Sequence, residues 1–384
     1  MRRWTKFVAV TAVLALGLAA CGDDDNGEEE PALDDTADDT AEEPADDEDV
    51  GATEEPEQDT GESLLATVQS RGSLVCGVND AVPGFGFVTE GGDFEGFDID
   101  FCKVVAAAVL GDAEAVEYVP LTAEARFTAL QAGEIDVLIR NTTWTASRDG
   151  GEGAAFATTT FYDGQGMMVR ADSGIGSIDD MDGTAVCVLS GTTTELNLET
   201  FFLSRDMDYE PLTFEDNDTL REAFLEDRCD GWTSDLSQLA ALRSAWPDEE
   251  GGPEGLTIFD DVMSKEPLGP AVQDGDQEWF DAVNWAIIAT IQAEEFGIDS
   301  STVEQMVSDT DPDADPDVAR LLGITDEDLG IGLDSDFAVN VISQVGNYGE
   351  IYDRNVGPQT GLGLERGVNA LWTDGGLLYA PPYR

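Results

Sequence analysis

From Gly22 to Glu62 the chain carries 21 Asp and Glu, no Lys or Arg, and almost no apolar side chain. A segment of that composition cannot bury enough surface to offset its ordering entropy. It reads as an acidic, disordered tether and confines any packed fold to residues 63–384. Repulsion between like charges extends it. Even as a neutral flexible coil, its 41 residues would span ~35 Å r.m.s. at ~5–6 Å × √n. A solvated spacer fits the run of acids better than a metal site does.

The acidity continues past the tether. Of the 82 acids and 18 bases in the whole chain, 61 and 15 fall in residues 63–384, a net charge of −46 there. Lys occurs in that part only as Lys103 and Lys265. Such a surface repels nucleic acid and anionic membranes, so no nucleic-acid partner is expected. It suits a salt-rich habitat, where charge repulsion is screened. His is absent, which excludes a His-based triad, a His metal site or a His proton shuttle.

Arg2, Arg3 and Lys6 precede a short apolar run, Phe7 to Leu18, and small residues lead to Cys21. These are the three parts of an export signal, and the run is too short for a comfortable membrane span. Leu18-Ala-Ala-Cys21 resembles a bacterial lipobox. That implies cleavage before Cys21 and a lipid on its thiol, anchoring the protein to the outer face of the cell membrane. Residues 1–20 are then a removed signal, and 21–62 the anchored Cys and its tether.

Cys76, Cys102, Cys187 and Cys229 remain, an even number in an exported chain, where disulfides are expected. Four cysteines allow three pairings. Clustering along the chain favours Cys76–Cys102 and Cys187–Cys229. No C-x-x-C spacing supports a metal site.

Residues 63–235 alternate strand-like and helix-like segments, the signature of α/β units. Strands are expected at Ser73–Val78, Ala115–Val119, Ile135–Ile139, Thr184–Leu189, Pro211–Phe214 and Gly231–Thr233. Helices are expected between them, one of them running from Phe97-Asp-Ile-Asp100 through Val109, with Asp100 as its N-cap. The last third is helical: Phe280, Val283, Ile287 and Ile291 recur at helical spacing. Two α/β blocks followed by a return segment predict two lobes and a cleft.

Several segments are more specific. They include Gly96-Phe-Asp-Ile-Asp100, Arg126-Phe-Thr-Ala-Leu-Gln131, Asn141-Thr-Thr-Trp-Thr-Ala-Ser-Arg148, Tyr162-Asp-Gly-Gln-Gly-Met167, Gly191-Thr-Thr-Thr-Glu-Leu-Asn197, Lys265-Glu-Pro-Leu-Gly-Pro-Ala271 and Gln344-Val-Gly-Asn-Tyr-Gly-Glu350. In this order they resemble the extracytoplasmic solute-binding proteins (family 3) of ABC importers for polar and general L-amino acids. The resemblance implies a type II periplasmic-binding-protein fold, with two α/β lobes joined by two hinge strands around a ligand cleft. Lobe one would comprise 63–167 and 268–384, the latter ending in a helical extension, and lobe two 168–267. It also implies a monomer that takes an amino acid outside the cell and delivers it to a permease and ATPase, with no cofactor and no chemistry on the ligand.

A free amino acid presents a carboxylate and an ammonium at fixed separation. Arg suits the first, because its planar fork meets both oxygens. Arg148 follows a polar run at the end of a buried strand, where open α/β sheets place ligands. The resemblance gives it the α-carboxylate, helped by Asn141 and Thr143. Thr193, at a helix N-terminus suited to anions, joins them. Asp235, after the last lobe-two strand, would take the ammonium. Asn79, Val82 and Phe85 follow the first strand and are expected to line the pocket. Arg140 is expected to meet a side-chain carboxylate or amide, which favours Glu, Gln, Asp or Asn as ligands. Asp98 and Asp100 read as capping or turn residues, and Trp144 as either a stacking or a core aromatic. Two other readings are an enzyme on the same fold, dehydratase-like, and a sensory ectodomain acting through a separate membrane protein. Recovery of the ligand unchanged separates the first from a receptor; a neighbouring kinase gene would mark the second.

Overall fold

The computed structural model describes residues 63–325 and 327–384. The export segment, Cys21 and the tether lie outside the described residues.

Two sheets organise the chain. In the first, the spatial order is Val116–Pro120, Leu74–Val78, Val137–Leu138, Ala271–Gln273, Ala154–Phe156. Leu74–Val78 runs parallel to both its neighbours, and Ala271–Gln273 antiparallel to both of its own. In the second, the order is Tyr209–Phe214, Thr184–Leu189, Gly231–Asp235, Phe161–Arg170, Leu256–Ile258, with the first three parallel. Helices cover these sheets, so their inner strands are apolar runs rather than alternating ones. Thr184-Ala-Val-Cys-Val-Leu189 has four consecutive buried residues.

The chain passes from the first sheet to the second along Phe161–Arg170 and returns along Lys265–Leu268. These two strands pair antiparallel, Phe161 opposite Leu268 and Gly164 opposite Lys265. They are the two hinge strands of a two-lobed α/β fold.

Lobe one packs its sheet on the helices Phe97–Leu110 and Gln277–Glu295. Val283, Ile287 and Ile291 are fully buried and Phe280 is half-buried, as the helical spacing predicts. Asp276 caps that helix by accepting the Trp279 N–H, 3.0 Å, and it also takes the Leu64 N–H, 2.7 Å. The C-terminal helices Phe337–Gln344 and Tyr348–Asn355 complete the core. The rings of Phe85, Phe97, Phe161, Tyr348 and Tyr352 meet there at 5.2–6.3 Å. Lobe two has an apolar cluster on each face of its sheet, one around Trp232 and Phe224, the other around Phe202 and Met167.

Both disulfides form, Cys76–Cys102 and Cys187–Cys229, closing separations of 26 and 42 residues. The first ties strand Leu74–Val78 to helix Phe97–Leu110. The second ties Thr184–Leu189 to the entry of Gly231–Asp235. Each staple stays within one lobe, so neither opposes a hinge motion.

Asp100 is not an N-cap. The helix starts three residues earlier, after Gly96, at φ 133°. A Cβ at Gly96 would collide with the Phe85 carbonyl. That close approach lets the Gly84 and Phe85 carbonyls accept the N–H groups of Phe97 and Asp98, each at 2.9 Å, and the first turn needs no side-chain cap. The Asp100 carboxylate instead accepts from Arg354 Nε, 2.7 Å, and from Asn355, holding the helix to the C-terminal extension.

Candidate functional site

The ends of several parallel strands face each other across the gap between the lobes. Leu138 leads to Arg140, Asn141 and Thr143; Leu189 leads to Thr192–Thr194; Gly231–Asp235 ends on Ser234 and Asp235. These residues, with Asn79, Arg126 and Gln238, enclose a small cavity. The lobes already touch around it. Thr143 Oγ1 lies 3.3 Å from Thr193 Oγ1, and Arg126 and Arg148 each donate an Nη2–H to the Gly191 carbonyl at 3.4 Å.

Arg148 sits on the short helix Ala146–Gly151, capped by Thr145. Its Nη1 donates to the Thr143 carbonyl, 2.9 Å, and its guanidinium lies 5.3 Å from the Phe127 ring centroid. It is not among the residues that line the cavity; it braces the polar run that does. Arg126, which sequence reasoning missed, reaches further in. It is 2 % exposed, sits at the same 5.3 Å from Phe127, and its Nε has no partner in the chain. Burial, then repulsion from Arg148 and Arg140, pulls its pKa well down. A signal was present. In a chain this poor in bases, an Arg heading the apolar helix Arg126–Gln131 is a costly residue to bury. Arg140 is buried too, with its pKa lowered to about 10, burial outweighing the attraction of Asp80 and Asp98. Its Nε donates to the Leu121 carbonyl, 2.6 Å. Two guanidinium groups therefore line one small cavity, and the field of Arg148 acts on both.

The opposing charge is Asp235. It is 6 % exposed, and its Oδ1 has no partner in the chain. Burial raises its pKa well above the usual carboxylate range, Asp163 and Glu266 push the same way, and Arg126 and Arg148 pull it back. Both of those acids belong to the hinge strands. Asp163 is pushed up to about 6 by burial, against hydrogen bonds from Ser237 and Gly164. Glu266 accepts from Thr193 Oγ1, 2.7 Å, from Asn197 Nδ2, 2.9 Å, and from Ser264. It thus holds the N-terminal turn of helix Thr193–Leu203 to the hinge.

Asn141 stands in the left-handed region at φ 40°, and neither Nδ2 nor Oδ1 of its side chain has a partner in the chain. Thr193 opens its helix after the N-cap Thr192, so that helix N-terminus faces the cavity. Asn79 lines the cavity, though its Oδ1 is occupied by the N–H groups of Asp80 and Ala81, at 3.0 and 3.3 Å. Val82 and Phe85 are corrected. The hairpin that follows the first strand folds back on lobe one, so both are fully buried core residues, and Phe85 packs on Phe97 and Phe161. Trp144 is 44 % exposed and stacks on Phe156, away from the cavity. A second, more open cavity borders the first, sharing Asn79, Arg140 and Leu189, and is also lined by Glu215, Asp216 and Asp218.

Residues 74–297 match the family model of bacterial extracellular solute-binding proteins, family 3. The chain belongs to this family. Among relatives of this solute-binding protein is the glutamate/glutamine/aspartate/asparagine-binding protein BztA of Rhodobacter capsulatus, 46 % identical over 84 % of this chain and 94 % of its own. Another is the general L-amino acid-binding periplasmic protein AapJ of Rhizobium johnstonii, 48 % identical over 84 % and 93 %. Among solved structures, a periplasmic binding protein from Brucella ovis with glutathione bound aligns at a TM-score of 0.80. It is 44 % identical and covers 84 % of this chain and 99 % of its own. The family places the described lobes outside the cytoplasm. The cavity, with cations on one side and a carboxylate on the other, lies between the two lobes.

Proposed function

We propose that this solute-binding protein captures free L-amino acids outside the cell, favouring acidic and amide side chains, and hands them to an ABC importer. The observation that carries this is the pairing across the cavity. The unpartnered Asp235 carboxylate, buried in lobe two, faces the buried guanidinium groups of lobe one. An α-amino acid is a ligand of matching polarity. Its ammonium satisfies Asp235. Its carboxylate takes Arg148, the Thr143 hydroxyl, the Asn141 amide and the helix N-terminus at Thr193, whose own hydroxyl stays on Glu266. Its side chain then points toward Arg140 and Arg126. A second carboxylate or an amide oxygen there would relieve two buried cations, which is the physical basis of the preference. The specificities named for BztA and AapJ support the same range.

Binding is reversible and leaves the ligand unchanged. The lipid on Cys21 and the acidic tether hold the receptor, as a monomer, within reach of the permease. The test is a melting panel on ligand-stripped protein in high salt against the twenty amino acids. A ligand at 100 times its Kd stabilises by ~2.7 kcal/mol. Expected are clear upward shifts with Glu, Gln, Asp and Asn, each recovered intact. A panel with no shift would turn the reading toward an enzyme or a sensor.

A further inference from the structure

Asp98 belongs to lobe one's core helix, yet its side chain serves the cleft. It is 4 % exposed, and its Oδ2 accepts the backbone N–H of Asn141 at 2.8 Å. That bond holds Asn141 at φ 40°, a conformation non-glycine residues rarely keep without support. The held residue presents an unpartnered side-chain amide to the ligand cavity. The next residue back, Arg140, lines the same cavity and is the charged group acting on Asp98. The hairpin packed on Asp98 adds the Phe85 carbonyl, which accepts its N–H; the hairpin's own acid, Asp80, acts on Arg140.

We propose that Asp98 is a positioning residue that couples Arg140 to Asn141 and sets how the cleft discriminates carboxylate from amide side chains. This deepens the reading of the cleft as an amino-acid site and rests on it. In the free protein Arg140 is the cation acting on Asp98, and Asp80 and, less strongly, Asp98 are the anions acting on Arg140. A ligand carboxylate on Arg140 takes that role over, leaving Asp98 buried without compensation, and Asp98 then takes a proton from solvent. A ligand amide leaves Arg140's charge available and Asp98 ionised. Burial already holds the Asp98 pKa at about 7, where a modest change in field alters its charge. Because uptake favours binding at lower pH, the glutamate-over-glutamine affinity ratio should fall as pH rises from about 7 to 9. It should level off below about 6, where Asp98 is protonated in both states.

The experiment is titration calorimetry of L-glutamate and L-glutamine at several pH values, in paired buffers of different ionisation enthalpy. Protons exchanged at Asp163 and Asp235 also depend on the ligand, because Arg126 acts on Asp235, and Asp98→Asn keeps both groups and so reads that share. Glutamate should take up more protons than glutamine near pH 7, and the affinity ratio should drop by about threefold or more between pH 7 and 9. In Asp98→Asn the amide oxygen still accepts the Asn141 N–H while the charge is gone, so both differences should fall to the share of Asp163 and Asp235. Equal proton counts in the wild type, or differences undiminished in Asp98→Asn, would overturn the proposal alone. No heat with either amino acid would overturn the amino-acid reading, and the proposal with it.

Discussion

A buried carboxylate loses hydration when it ionises, and a ligand that supplies the counter-charge returns that loss as affinity. Asp235 is in this position, so Asp235→Asn should separate stability from binding. Its pKa is raised in the folded state, so ionisation is penalised in the fold and not in the unfolded chain. The penalty is absent at pH values below its unfolded pKa and grows as pH rises above it. Ligand-free Asp235→Asn should therefore melt higher than wild type at pH 7, with the gap closing near pH 4. The same variant should bind amino acids about 10- to 100-fold more weakly, the worth of a charge-assisted hydrogen bond. Arg140→Ala should cost glutamate about tenfold or more in a binding titration and leave alanine nearly unaffected. Asp235 was placed by its position at the end of the last lobe-two strand, and it lines the cavity; Arg148, read the same way, does not. Arg126 was not legible, because its helix reads as core from Phe127 and Leu130. Val82 and Phe85 were misplaced because nearness to a strand end does not tell which way a hairpin turns.

At the scale of elements, the strands were legible where they are long and buried on both faces. Thr184–Leu189 begins and ends where its apolar run does. Ile135–Ile139 pairs only at Val137–Leu138, because one of its neighbours, Ala271–Gln273, meets it through a single residue. The helix at Phe97–Leu110 starts early because carbonyls from a hairpin, distant from any local capping signal, satisfy its first turn. The staples also act element by element. Loops of 26 and 42 residues are worth ~3.5 and ~4 kcal/mol on the chain-entropy model. Replacing Cys187 and Cys229 with Ala should lower the unfolding free energy by about that amount, read from the denaturant midpoint. Ligand affinity in the surviving folded fraction should change little, since neither sulfur borders the cavity. A midpoint unchanged by the double substitution would mean that the loop is already constrained in the unfolded chain.

For the whole molecule, the two-lobed plan was legible from the repeated α/β pattern, and the return segment from its helical spacing. The closeness of the lobes around the cavity was not, since no local sequence signal reports an inter-lobe distance. Charge acts at this scale as well. Residues 63–384 carry a net −46, and the ion pairs among the described residues are mostly part-exposed and worth little. Screening therefore removes more repulsion than attraction. The melting temperature should rise by several degrees as potassium chloride increases from about 0.1 to 2 M, over which the Debye length falls from ~10 Å to under 3 Å. A flat or falling series would argue against a salt-adapted surface. The cleft's opposed charges can be tested by removing one charge from the ligand rather than from the protein. Glutarate keeps both carboxylates of L-glutamate and lacks only the α-ammonium that Asp235 is placed to receive. In a calorimetric titration at fixed salt, L-glutamate should bind and glutarate should bind about 100-fold more weakly or not at all. Equal affinity for the two would contradict capture of amino acids through Asp235.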